Sequence, residues 1–559
     1  MINTHAQKNE ATFRLQQAIE DLLNEYQNDL KQLRYKEISP INVDEIASKM
    51  AKVYERIRKI VDWKEENVLR RSAILRILKR TLVHKLSNFQ FNTDFDINQG
   101  AESLIRELIR GGHLPNDTIP SYKIEETAEI LHKYIYILEH APFEEMSVKN
   151  NKFLLKEKVN FFNWFLELCS TEIEECLVPP VLENALIKCM TVSMNARIRI
   201  LPKDPLAPEQ KKTLVYIATC RTLYDLDDSI IAFNVLKHYY PGWIKASPFY
   251  LENIAKHIFT VKEGIENGLS HPLSRKFFNI CENTDTVFTL IGDIFEKYKS
   301  TPEQLKSIFI NKPLFKELLI ESYQKRYKTL KTRLFRMAVL STFSVVLANI
   351  ITYFEVELPI AFLLKEKFSL FATIIDFLIP SSFMFLLVSL IRPPSADNLY
   401  KVIALSERFV YYNQIKDIYE IKLKSKFNPI FRIIVSSLYT AACLIMFWYI
   451  GLAFFLAGIP ISSVVLDTAT IGLNIFAALV IRNKSRELSV SEKSTVWEFI
   501  IDIFTTPLAE VGSWFASKWK EYNIFSVFLN FFLETPLVGF FEFIEEWRHF
   551  LKDKKADIH

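Results

Sequence analysis

The sequence predicts an all-α membrane protein. A cytoplasmic multi-helix domain comes first, then a four-span transmembrane bundle of two repeated hairpins, then amphipathic C-terminal helices. Three observations predict it. Glycine is scarce, 12 residues in 559 with none in the first 99, which disfavours turn-rich β architectures and glycine-rich nucleotide folds. Three long, nearly uncharged runs lie between residues 338 and 481. Basic residues crowd one side of those runs, as they do on the cytoplasmic side of membrane proteins.

Residues 1–330 read as helices throughout and form the cytoplasmic domain. Phe13 to Leu33 carries apolar residues seven apart (Leu15–Leu22, Ile19–Tyr26–Leu33), which suits a helical hairpin or short coiled coil. Val43 to Leu86 gives further amphipathic helix. Its basic face (Arg70, Arg71, Arg76, Lys79 and Arg80) is a candidate contact for a partner, anionic lipid or RNA, the favoured reading being a solvated face neutralised by Glu65 and Glu66. Breaks follow at 92–100, 111–120, Pro179–Pro180, 202–208 and 241–248. Asp225, Asp227 and Asp228 fall at one such turn and are expected as helix caps.

The segment Tyr224 to Pro241 resembles the second helix of a tetratricopeptide repeat. Ser229, Ile230, Phe233, Leu236 and Pro241 fall where that pattern wants small, apolar, aromatic, small and proline residues. The resemblance covers half of one repeat and lacks the family's turn glycine and its Trp-Leu-Gly-Tyr pattern. A general helical-pair domain suited to protein contacts is the broader expectation.

The membrane region is divided by its charges. Ala338–Phe354 has no charge in 17 residues, Phe368–Ile391 has only Asp376, and Ile433–Ile481 has only Asp467 in 49 residues. A span needs ~20 apolar residues, so the last run is two spans turned at Gly458–Ile459–Pro460. The spans are placed at 335–354, 368–391, 432–457 and 461–481, the first extending toward Leu364. This gives one hairpin over 331–392, a cytoplasmic helical loop over 393–429 and a second hairpin over 430–482. Eighteen Lys and Arg flank one side of these spans against Lys365 and Lys367 on the other. Both termini are therefore expected in the cytoplasm and the protein in the inner (cytoplasmic) membrane.

The hairpins resemble each other. Leu334–Phe335–Arg336 opens the first and Ile430–Phe431–Arg432 the second. Each returning helix carries one Asp and ends in Arg, with Asp376 16 residues before Arg392 and Asp467 15 before Arg482. An intramembrane Asp is a candidate for proton or cation handling, costing ~2.5–3.5 kcal/mol at a helix centre. Nearby Thr373, Ser463, Thr468 and Thr470 favour a structural, capping role for the pair.

The tail, 483–559, is aromatic and amphipathic. Phe499–Leu508 resembles Phe528–Leu537 at an offset of 29 residues, with Thr-Pro-Leu recurring. Trp514, Trp519 and Trp547 are residue types of the membrane–water interface and candidate lipid contacts. Charges interrupt every candidate span here, so the helices are expected on the cytoplasmic membrane surface, a re-entrant hairpin being the alternative.

Chemistry is sparse. Cys169, Cys176, Cys189, Cys220, Cys281 and Cys443 form no C-x-x-C pair, and no H-E-x-x-H, Walker A or G-x-S-x-G pattern occurs. No catalytic residue, metal or cofactor is expected. A net charge of +4 carries no nucleic-acid signature. The expected function is a multi-pass membrane scaffold or adaptor whose helical domain binds a protein partner. The alternative is an oligomeric ion- or proton-coupled transporter or channel using Asp376 and Asp467. Either could be a homo-oligomer.

Overall fold

The computed structural model describes residues 40–43, 66–83, 86–87, 90–91, 96–143, 151–201, 206–364, 370–411, 418–422, 429–456, 461–490, 505–506, 508–514 and 517. The chain is mostly helical, with 17 α-helices among the described residues and two short β ribbons. It divides into two compact units. One comprises residues 18–196, 205–282 and 524–559, and the other residues 1–17, 197–204 and 283–523. They are called the helical unit and the membrane unit.

In the helical unit, α1 (Glu66–Val83), α2 (Ile97–Arg110), α3 (Tyr122–His140), α4 (Asn151–Leu177) and α5 (Val181–Arg197) precede α6 (Pro208–Leu223), α7 (Asp228–Tyr239), α8 (Pro248–Leu269) and α9 (Ser274–Glu282). Local chemistry sets their ends. Asp96 caps α2 by accepting from the Asn98 and Gln99 amides (3.0 and 3.2 Å). Pro179–Pro180 separates α4 from α5, because proline cannot donate into a continuing helix. Ser247 caps α8, and Pro248 fills its first turn.

Helix α4 is the hub, packed against α1, α3 and α7. Its Phe161 and Phe165 are fully buried with Tyr134 and Trp243, and the Tyr134 and Phe165 rings stand 4.7 Å apart. Helix α6 packs chiefly on α9 rather than forming a tight pair with α7, so α7 is not embedded in a tetratricopeptide-like helix pair. Together α4 and α5 are apolar enough to resemble a span, but they bend by 111° between Leu177 and Val181. Their apolar faces form the core of this unit.

In the membrane unit, α10 (Asp285–Lys297) and α11 (Pro302–Ile310) lead to α12 (Lys312–Thr352). Helix α12 has 41 residues, ~60 Å at 1.5 Å per residue, with its one proline in the first turn. A π-helical turn (Tyr353–Glu357) and α13 (Leu358–Leu364) continue it, as the sequence suggested for the first span. Then come α14 (Leu370–Ser389), α15 (Ala396–Val410), α16 (Pro429–Leu456) and α17 (Ile461–Ser485). Helix α12 packs on α14 and α17, α14 on α17, and α17 on α16.

The character of α12 changes along its length. Phe315, Leu318, Leu319, Tyr323, Leu330 and Leu334 are buried at helical spacing. From Phe335 (72% exposed) onward, large apolar side chains face outward, including Phe343, Leu347 and Phe354. Trp448 and Leu456 of α16 do likewise. So continuous an apolar exterior is unfavourable in water and suits a lipid solvent. Two described stretches, Lys312–Glu355 and Ser437–Leu456, are long and apolar enough to cross a membrane, each with a mean hydropathy of 1.9 in its most apolar window.

The sequence did not announce a strand in this unit. β3 (Ile198–Leu201) follows α5 directly and pairs in parallel with β4 (Tyr419–Lys422), Ile198 opposite Tyr419 and Leu201 opposite Lys422. Arg197 lies over the Phe409 ring at 4.2 Å, and Phe409 meets Phe288 edge-on, tying the ribbon's start to α15 and α10. In the helical unit, β1 (Leu86–Ser87) and β2 (Gln90–Phe91) form a small antiparallel ribbon.

Candidate functional site

The centre of the helical unit is a set of acids on α4, each met by a different element. Glu172 (5% exposed) pairs with Lys133 of α3 (6% exposed) and accepts from the Trp243 indole at 2.8 Å. Lys133 also donates to the Trp243 carbonyl at 3.1 Å. Glu174 pairs with Arg70 of α1 at 3.1 Å, and Glu175 with Lys237 of α7 at 2.6 Å. Glu167 accepts from Ser229 at 2.7 Å. Glu172 and Glu175 point to other sides of the helix than Glu167 and Glu174, which share a face two turns apart, so the four meet different neighbours.

This arrangement uses the basic face singled out in α1. Arg70 pairs with Glu174, Arg71 is buried and forks onto Asp227, and Arg80 pairs with Glu107 of α2. Arg76 and Lys79 are partly covered on the same helix. Three of the five candidate contact residues thus form ion pairs within the domain, while Glu65 and the Glu66 side chain lie outside the described residues. Asp227 stands at the start of α7 but makes no side-chain cap bond, because its carboxylate goes to Arg71. Asp228 turns to Arg221 at 2.7 Å.

Burial pushes Glu174 up to about 7 against the pull of Arg70 and Arg71. The ordinary value is 4.5, so the folded state keeps a proton that the unfolded chain gives up between about pH 4.5 and 7. This group's contribution therefore makes stability fall as pH rises through that window. Glu174→Gln should flatten the slope. Compared by unfolding temperature at pH 5 and pH 8, the variant should gain on the wild type at pH 8. An equal difference at both pH values would refute the assignment.

All six cysteines are free thiols. Burial pushes Cys176 and Cys220 up to about 12, which keeps them protonated and poorly nucleophilic. Among the described residues no group of three His, Cys, Asp or Glu side chains is placed to hold a metal ion.

In the membrane unit, Asp376 lies on α14 and Asp467 on α17, but both side chains lie outside the described residues. A polar contact is described close by in sequence. Asn474 of α17 (2% exposed) donates to the Pro380 carbonyl of α14 at 3.1 Å, beside the turn that the proline opens. Trp519 and Trp547 lie outside the described residues, and Trp514 is 57% exposed.

Part of the tail enters the bundle. Leu508 and Ala509 are buried with Phe454 of α16 and Ile471 and Ile475 of α17. Gly512 meets Gly472 backbone to backbone: a Cβ on Gly512 would fall 2.7 Å from the Gly472 carbonyl carbon. Gly472 is ~15 Å along α17 from Arg482, well inside an apolar helix. The segment 508–514 therefore packs within the bundle and not along its end. It brings Glu510 within electrostatic reach of Tyr439 and Cys443 of α16. Sequence reading missed Glu510 because the charges around it read as interfacial. The one available signal was the pair Gly472 and Gly512 in a chain with 12 glycines.

These features define a class: a mostly helical chain with an ion pair buried in the apolar core of its helical unit and with helices able to cross a membrane. No protein-family model matches the chain, and neither a curated protein nor a solved structure is similar to it.

Proposed function

We propose that the chain is a multi-pass scaffold of the inner membrane, with four spans in two hairpins and both termini cytoplasmic, holding its helical domain for a protein partner. The observation that carries this reading is α12. One helix starts among buried soluble-type contacts at Phe315 and ends in outward-facing apolar side chains at Phe343 and Leu347. Such a rod couples an anchor to the elements beneath it without a flexible joint. Helices α14, α16 and α17 have 20, 28 and 25 residues, which suits the remaining three spans. The eighteen basic residues on one flank support the orientation. The internal ion pairs of the helical unit leave its outer surface for contacts. At the α7–α8 corner that surface includes Tyr239, Ile244 and Phe249, the last 79% exposed.

The test compares the full chain with one lacking residues 1–196 and 205–282, with β3 kept on a short linker. Both should resist carbonate extraction from membranes. Only the full chain should yield a stoichiometric cross-linked partner in its native membrane. A partner retained by the shortened chain would reject the role given to the helical domain.

A further inference from the structure

We infer that the cavity at the foot of α12's apolar stretch binds a phosphate group, the chemistry of a membrane lipid headgroup. The inference rests on the reading that α12 crosses the bilayer. The cavity holds about 250 Å³ and is lined by Asp293, Lys325, Arg326, Thr329, Arg333 and Glu487. Lys325, Thr329 and Arg333 are four residues apart, so they stack along one face of α12.

The walls are fixed without a ligand. Arg326 forks onto Asp293 at 2.5 and 2.7 Å, and Ser322 adds a bond to the same carboxylate at 2.6 Å. Arg333 pairs with Glu487, whose carbonyl accepts from Thr286 at 3.3 Å. The buried Asn398 of α15 then locks the turn after α17. It donates to the Leu488 carbonyl (2.6 Å) and the Tyr323 hydroxyl (3.0 Å) and accepts from the Val490 amide (2.9 Å).

The charges do not cancel. Two acids face two guanidinium groups, which leaves the Lys325 ammonium without an ion pair among the described residues. Among the described residues the Arg333 Nε is buried without a hydrogen-bond partner. A surplus positive charge beside an orphaned N–H calls for an anion with several acceptor oxygens, and a buried unpaired donor is costly until it finds one. The Arg333 end of the site, and not the Lys325 end, stands at the height of lipid phosphates. Arg333 is two residues before Phe335, where the outward apolar surface begins, and Lys325 is ~12 Å farther from the bilayer. Lipid phosphates occupy the ~5–7 Å outside the hydrocarbon core. Acyl chains could then run along the exposed Phe335 and Val339.

The full-length protein in detergent micelles would be titrated with phosphatidylglycerol, with phosphatidylcholine and with soluble sn-glycerol 3-phosphate, reading bound ligand by native mass spectrometry. The phosphatidylglycerol complex should be the strongest. Lys325→Glu should weaken it roughly twenty-five-fold, two charge units at ~1 kcal/mol each. Lys328→Glu, the same change on the same helix off the cavity, should leave it unaltered. Retention of phosphatidylglycerol alone identifies a lipid source, whereas equal retention of glycerol phosphate identifies a soluble one, and both support a phosphate site. Equal weakening by the two variants, or by neither, overturns it. Failure to float with phosphatidylcholine vesicles would instead reject the membrane reading itself.

Discussion

Lys133→Met should destabilise the helical unit by about 3–5 kcal/mol. The substitution leaves the Glu172 carboxylate buried with the Trp243 indole but without the ammonium that neutralises it. A buried charge deprived of its partner costs more than the intact pair contributes, because the desolvation remains after the attraction has gone. The Trp243 carbonyl also loses the Lys133 donor. The double variant Lys133→Met/Glu172→Gln should recover most of the loss. It leaves no buried charge, and the glutamine oxygen can still accept the indole N–H. Hydrogen exchange of α3 and α4 amides in the full protein measures the cycle. Protection unchanged in Lys133→Met would mean that the pair is not formed.

Gly512→Ala should expel the segment 508–514 from the bundle, whereas Gly472→Ala should be tolerated. The asymmetry follows from what each new methyl group meets. At 512 it would fall 2.7 Å from the Gly472 carbonyl carbon and 2.9 Å from the Phe476 Cβ, atoms fixed to the backbone of α17. At 472 its nearest neighbour is the Leu508 carbonyl oxygen at 3.4 Å, a normal van der Waals distance. Overpacking of a side chain costs ~1–3 kcal/mol, and here the backbone itself must move. Ala509→Cys reports the outcome, because Ala509 is buried in the wild type. Its labelling by a water-soluble maleimide should rise at least roughly tenfold with Gly512→Ala and little with Gly472→Ala. Equal labelling in both backgrounds would rule out the crossing.

The helices that can cross the membrane were legible because a long uncharged run has few alternatives to being an apolar helix. The sequence placed the first span at 335–354, and the structure turns apolar side chains outward from Phe335. What faces a helix was not legible. The basic stripe of α1 could be read from its spacing, but its acceptors Glu174 and Asp227 lie 104 and 156 residues away. Periodicity marks a face without saying what it meets. The acids near Asp225 misled for the same reason: a carboxylate at a helix start suits a cap, and only the fold brings Arg71 within its reach. In the tail, charge density argued for the interface. A glycine–glycine crossing leaves no hydropathic trace, so the insertion of 508–514 was hidden.

The parallel ribbon has a consequence for synthesis. Ile198 leaves the ribosome more than two hundred residues before its partner Tyr419. At 5–20 residues per second the strand waits roughly ten to forty seconds with both edges unpaired. During that time α12 and α14 emerge from the ribosome. β3 is only four residues long and alternates buried with exposed side chains, so it offers a poor template for a wrong pairing while it waits. Closing the ribbon becomes a late event in the chain's production, because β4 is made only after α12 and α14. The pairing of β3 with β4 therefore closes only after most of the chain between them has been made.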